Sequence, residues 1–149
     1  MSFEEMLETT GTVAYTNVGV SMMPLLREGR DVMVIRRKEG PCKKYDAVLF
    51  RRPGKIGRGA YVLHRVLRVN DDGTYWIVGD NCVSGETVRD ENVLGVLESV
   101  IRDGEPLDLN SASYRAYVRL WCAPWPARMA LRRAKSLAGR VVRKIIPKK

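Results

Sequence analysis

Ser21 stands in the run GVSMMPLL, residues 19–26, among side chains that normally fill a core. A serine hydroxyl is a poor nucleophile at neutral pH; it needs a base to take its proton and a third group to orient that base. His64, 43 residues on, is the chain's only histidine, so it is the one imidazole available for that work. Beyond it the run VGDNCVSGETV offers two acids, Asp80 and Glu86. A neutral imidazole could accept the Ser21 proton, and a carboxylate could fix its tautomer and stabilise the imidazolium that forms. The chemistry these types imply is acyl transfer.

Such residues act together only if the fold gathers them. Residues 2–10 read as a short helix stopped by Gly11. Strand signals follow: TVAYTNVGV, then DVMVIRR, then DAVLFRR ending at Pro53. AYVLHRVLRV and TYWIVGD, joined by NDDG, read as a hairpin that would set His64 beside an acid. NVLGVLESVIRDGEPLDL gives one or two more strands. About six short strands at this spacing predict a mainly β fold, a small barrel or coiled β-sheet domain over residues 1–110. From residue 111 the texture turns helical. SASYRAYVRLWCA fits a helix capped by Ser111 or Ser113, PWP at 124–126 breaks it, and residues 127–146 repeat apolar positions at i, i+3, i+4, i+7. The expectation is a β domain followed by C-terminal amphipathic helices over 111–149.

The ordered runs GVSMMPLLREGRDVMVIRR, KKYDAVLF, LHRVLRV and VGDN resemble the sequence boxes of the LexA and type I signal peptidase superfamily of serine peptidases. The HRV run at 64–66 is similar to the branch that uses histidine as base, the endoplasmic-reticulum-type signal peptidases. The resemblance covers roughly residues 12–100. It implies a signal-peptidase/LexA-like fold with Ser21 as nucleophile, His64 as base and Glu86 as orienting acid, with Asp80 as a structural or second acid. Many relatives place a hydroxyl at the position of Gly19, and glycine is common where Val20 stands. The oxyanion site would therefore fall to backbone N–H groups around Gly19, Val20 and Met22, such as that of Ser21, with Met22 and Met23 shaping pockets for substrate side chains. The family's habit implies an extended peptide or leader segment as substrate, with small residues before the cut. The usual N-terminal membrane anchor has no counterpart in the run before Ser21. A non-catalytic or self-processing regulatory module of the same fold is the alternative.

Charge divides the chain. Residues 1–110 carry 15 Lys and Arg against 17 Asp and Glu, whereas residues 111–149 carry 11 Lys and Arg and no acid. A near-neutral body thus bears a strongly basic tail. Two partners fit that tail: the β domain itself, packed against the alanine-rich face, or an anionic membrane surface met by residues 127–146 with Trp121 and Trp125 at the interface. Nucleic acid fits less well, because no aromatic-basic platform accompanies the charge. Three scattered cysteines, Cys42, Cys82 and Cys122, form neither a disulfide framework nor a zinc motif, and a single histidine rules out a His-rich metal site. No metal and no cofactor are expected. The N-terminal run MSFEEMLETTG lacks the apolar core of a secretory signal, and no run of about 18 apolar residues occurs. The expected location is the cytoplasm, with peripheral contact at the inner membrane face.

Overall fold

The computed structural model describes residues 1–145. The opening helix, α1 (Phe3–Thr10), begins at a capping box in which Ser2 and Glu5 satisfy each other's backbone N–H groups. It ends at Gly11, whose φ of 74° is the left-handed conformation that closes helices without a Cβ penalty. Eight antiparallel strands follow: β1 (Thr12–Thr16), β2 (Val32–Arg37), β3 (Ala47–Arg51), β4 (Tyr61–Val69), β5 (Tyr75–Val78), β6 (Gly85–Val88), β7 (Val93–Arg102) and β8 (Glu105–Leu107). Their order across the sheet is β1-β2-β7-β3-β4-β5-β6, with β8 paired to β7. The mainly β architecture expected from the sequence is what the chain adopts.

Register shifts at Val34/Ile35, Leu49/Phe50 and Val66/Arg68 bend the sheet. Each face then builds its own core. One holds Leu26, Ile35, Leu49, Leu63 and Val100, roofed by Phe3 and Leu7 of α1. The other holds Val48, Phe50, Val66, Tyr75 and Ile77. The β4–β5 hairpin forms as expected, with Val69 opposite Tyr75 across the NDDG turn.

Two strand expectations change. TVAYTNVGV is a strand only as far as Thr16; residues 17–31 leave the sheet as a loop and return to it at the same point. The Asn17 N–H donates to the Asp31 carbonyl at 2.9 Å, and the Gly29 N–H donates to the Asn17 carbonyl at 2.8 Å. β6, where the sequence reading placed no strand, pairs with β5 through Glu86 opposite Ile77. Its Gly85 is obligatory there, since a Cβ would lie 2.5 Å from Val78 Cγ2 and 2.7 Å from the Ile77 carbonyl.

Beyond β8 come α2 (Ala112–Tyr117), capped by the Ser111 hydroxyl, a π-type turn over Val118–Cys122, and α3 (Trp125–Ile145). Ala123 and Pro124 separate the helical pieces, as the PWP run predicts. The packing expectation for the tail holds for only its first turns. Met129 is buried, but every residue from Ala130 to Ile145 is exposed, so the apolar stripe of Leu131, Leu137, Val141, Val142 and Ile145 has no partner among the described residues. Ile146, the last position of the expected helix, lies outside the described residues.

Candidate active site

The loop over residues 17–31 carries Ser21, and both of its ends are fastened. The Asp31 side chain, fully buried, takes hydrogen bonds from Arg102 Nη2 at 2.6 Å and from Arg27 Nη2 at 2.8 Å. Burial alone would raise the Asp31 pKa; the hydrogen bonds from Arg102 and Arg27 outweigh it and hold the carboxyl well below its usual range. The middle of the loop rests on the turn between β5 and β6. There the Asn81 N–H donates to the Ser21 carbonyl at 2.9 Å, and Asn81 Nδ2 donates to the Val20 carbonyl at 3.1 Å.

That turn also meets His64. A Cβ added to Gly79 would stand 2.7 Å from the Ser21 carbonyl oxygen, 3.0 Å from His64 Nε2 and 2.5 Å from Cys82 Sγ. Serine loop, imidazole and thiol therefore converge on one point that only glycine leaves open. Ser21, His64 and Cys82 all line a cleft of about 530 Å³, whose far wall is apolar and includes Leu49 and Leu63. Phe3 of α1 also lines it, edge-on to Tyr15 and Tyr61 at centroid distances of 5.3 and 5.0 Å.

His64 is 7% exposed and lies edge-on to Phe50. Desolvation pushes its pKa down to about 4; Glu86 and Asp80 pull it up and Arg52 pushes it further down, by smaller amounts. The ring is neutral at pH 7 and able to accept a proton. No side chain among the described residues hydrogen-bonds it, yet neither ring nitrogen is sealed off, for Arg128 Nε is, among the described residues, the only buried side-chain nitrogen or oxygen without a partner. Ser21 Oγ and His64 share the cleft without a direct hydrogen bond between them. Empty sites often hold catalytic pairs at such loose range, closing only around substrate.

Neither acid is bonded to the imidazole. Asp80 is engaged elsewhere: Arg65 Nε and Nη2 donate to its two oxygens at 2.7 and 2.8 Å, and the Tyr117 hydroxyl adds a third bond at 2.6 Å. The pair is sealed, with 0% and 1% of the side chains exposed. The structural role fits Asp80 and the orienting role does not. Glu86 faces His64 but is gripped by Arg52, whose Nε lies 3.1 and 3.0 Å from its two oxygens and whose Nη2 also donates to it. Its influence on His64 is through-space attraction, not a hydrogen bond.

The oxyanion expectations divide as well. The Gly19 N–H is occupied by the Glu28 carboxylate at 3.0 Å, and the Gly19 carbonyl takes the Asn17 amide at 3.0 Å. Met22 is 2% exposed and belongs to the core beneath α1, so it forms no substrate pocket. Val20 is 49% exposed at the rim. The backbone N–H groups of Val20 and Ser21 donate to nothing among the described residues, which leaves them free for a developing oxyanion.

Sequence reasoning gave no role to Arg52 or Arg65, and placed the tail tryptophans away from the site. Trp121 and Trp125, expected at a lipid interface, direct their indole N–H groups to the Asp80 and Cys82 carbonyls, each at 2.9 Å. Among the described residues no cluster of His, Cys, Asp and Glu could hold a metal ion, and no helix is long and apolar enough to cross a membrane. No protein-family model, no curated protein and no solved structure matches the chain.

Proposed function

We propose that the protein is a serine endopeptidase of the signal-peptidase type, cleaving an extended peptide or leader segment with Ser21 and His64. The observation that carries this reading is the convergence of the serine loop and the only imidazole on Gly79, inside a cleft large enough for a peptide. His64, neutral at pH 7, takes the Ser21 proton as Oγ attacks the scissile carbonyl carbon. The oxyanion forms toward the free N–H groups of Val20 and Ser21. The carbon–nitrogen bond then breaks, the proton passes from His64 to the leaving amine, and an acyl-enzyme remains. Water, deprotonated by the same ring, releases the acyl group. Glu86 supports the imidazolium across space while Arg52 tempers it.

The test is peptide-library cleavage by the wild-type chain and by Ser21→Ala and His64→Ala. Each substitution should lower the rate by several powers of ten, on the order of 10³ or more, with thermal unfolding of the serine variant unchanged. Full cleavage by Ser21→Ala would end the reading.

The tail supports an enzyme held at an anionic membrane face, on the proposal that the protein is cytoplasmic. The unpartnered stripe of α3 and the acid-free tail suit an in-plane helix. Co-sedimentation with vesicles containing anionic lipid, lost at high salt and absent with neutral vesicles, checks it. A second reading, a non-catalytic module, draws on the Arg52 grip that keeps Glu86 from His64; a wild-type chain that cleaves no peptide in the library would favour it.

A further inference from the structure

The β5–β6 turn has two faces. One seats Ser21 through Asn81, as described above. The other meets the tail, with Arg65 of β4 also holding the Asp80 carboxylate. The Tyr117 hydroxyl donates to Asp80 Oδ2 at 2.6 Å, Trp121 Nε1 to the Asp80 carbonyl at 2.9 Å and Trp125 Nε1 to the Cys82 carbonyl at 2.9 Å. Arg128 stacks on Trp121, 4.2 Å from the ring centroid, with Nη2 3.4 Å from the Asp80 carbonyl. Within the turn itself one short bond, Cys82 N–H to the Gly79 carbonyl at 2.8 Å, closes the backbone. Gly79 has no side chain to wedge the turn in place. Its position against Ser21 and His64 is set from outside.

We infer that Trp121 and Trp125 are positioning residues for the Ser21–His64 pair, acting through the turn Gly79–Cys82. Their indoles pin two of its carbonyls from behind while Asn81 holds the serine loop in front, so the serine loop and the C-terminal helices are mechanically joined. The π-type turn, in which the Ala123 N–H reaches the Val118 carbonyl at 2.8 Å, lies within the segment that carries Trp121 to the Asp80 carbonyl. Such widened turns recur at functional positions. Without the pins the Cys82 carbonyl loses the only side-chain donor it has here, and the Asp80 carbonyl keeps only the long Arg128 contact. The Asp80 carboxylate, still held by Arg65 and Tyr117, keeps one end of the turn in place; the Cys82 end loses its fastening and can shift against the imidazole and admit water. An ångström of misplacement at a reacting pair is enough to slow it by about a hundredfold. This inference rests on the peptidase reading for its consequence, but not for its geometry.

The test uses the full chain with Trp121→Phe, Trp125→Phe and the double variant, which keep a ring and remove the N–H. Trp76→Phe on β5 serves as control. Because His64 is the only histidine, its proton NMR titration needs no assignment. The charged groups that face it, Glu86, Arg52 and Asp80, are untouched in all variants. The wild type and Trp76→Phe should titrate near 4. Each tail variant should titrate higher by roughly one pH unit, toward the solvated value, and where cleavage is measurable kcat should fall about tenfold to a hundredfold with KM little changed. If the double variant does not fold, the single variants carry the result. Folded single variants whose His64 titrates as in the wild type would overturn the inference and leave the peptidase reading intact. A wild-type chain that cleaves nothing, with His64 still shifting in the variants, would remove the peptidase reading and leave the clamp.

Discussion

Removing Asp80 and removing Glu86 should have different consequences, and the structure says by how much. Asp80→Ala takes three hydrogen bonds from a sealed site and leaves the Arg65 guanidinium, itself 0% exposed, without its counter-charge. Arg65 would keep only neutral partners, the Tyr45 carbonyl at 2.8 Å and the Tyr114 hydroxyl at 3.0 Å. Breaking one side of a buried pair costs about 3–5 kcal/mol. A domain of this size has about 5–15 kcal/mol in all, so the loss is about a fifth of its stability or more. Glu86→Ala breaks a pair whose side chains are 33% and 38% exposed. Such pairs contribute about 0–1 kcal/mol. Urea unfolding at pH 7 should therefore separate the two variants by at least about 2 kcal/mol, with Asp80→Ala the weaker. The double variant Arg65→Met/Asp80→Leu should recover much of that loss, because it removes both charges together. Glu86→Ala should stay folded and still lose rate, through the imidazolium it no longer supports, so its loss of cleavage comes without a matching loss of stability. Equal stability losses for the two alanine variants, or a double variant no better than Asp80→Ala, would refute the assignment of Asp80 to the framework.

His64 makes stability depend on acidity in a defined window. Its folded pKa, about 4, lies below the model-peptide value of 6.5, so above that value both states are neutral and nothing changes. Below it the unfolded chain takes up the proton first, and stability falls by about 3 kcal/mol between pH 6.5 and 4 before levelling off; urea midpoints of wild type and His64→Gln across that range check it, and parallel curves would contradict it. By the same pKa, kcat/KM for peptide cleavage should climb as pH rises through 4 and lie flat from 6 to 7, which initial rates at fixed low substrate measure. Gly79→Ala forces a methyl to within 2.7 Å of the Ser21 carbonyl and 3.0 Å of His64 Nε2. It should cost roughly 1–3 kcal/mol of stability and abolish cleavage, whereas alanine at the exposed Gly139 of α3, where a Cβ meets nothing within 4 Å, should leave cleavage unchanged and cost no stability.

The strands that carry the site were legible because their residues are of strand type and their turns are explicit. DVMVIRR and the NDDG hairpin appear where composition puts them. β6 was not, because Gly85 breaks a strand-like pattern for a reason that lies in its neighbours: Val78 and the Ile77 carbonyl leave no room for a Cβ. The tail divided in the same way. Its periodicity gives the helices, but nothing in periodicity says that the two indole N–H groups point at a turn some 40 residues earlier. A tryptophan between helix turns suits an interface of any kind, lipid or protein. The choice depends on which acceptors the fold leaves unpaired, here the Asp80 and Cys82 carbonyls.

The acids show how far strand geometry alone could have gone. Neighbours along a strand point to opposite faces, and residues paired across a hairpin share one. Arg65 pairs with Val78, so Asp80, two residues further, lies on the arginine's face, while Gly79 falls on the histidine's. A charged residue within VLHRVLRV must find a partner once that strand is buried, and the nearest acid of matching parity is Asp80. The same rule puts Val66, Ile77 and Glu86 on the His64 face, and Val48, opposite His64, puts Phe50 and Arg52 there too. Two arginines thus sort two acids. The fully buried pair holds the turn that seats Ser21, and the half-exposed pair lies on the imidazole's face of the sheet, where Glu86 pulls the His64 pKa up through space and Arg52 pushes it down.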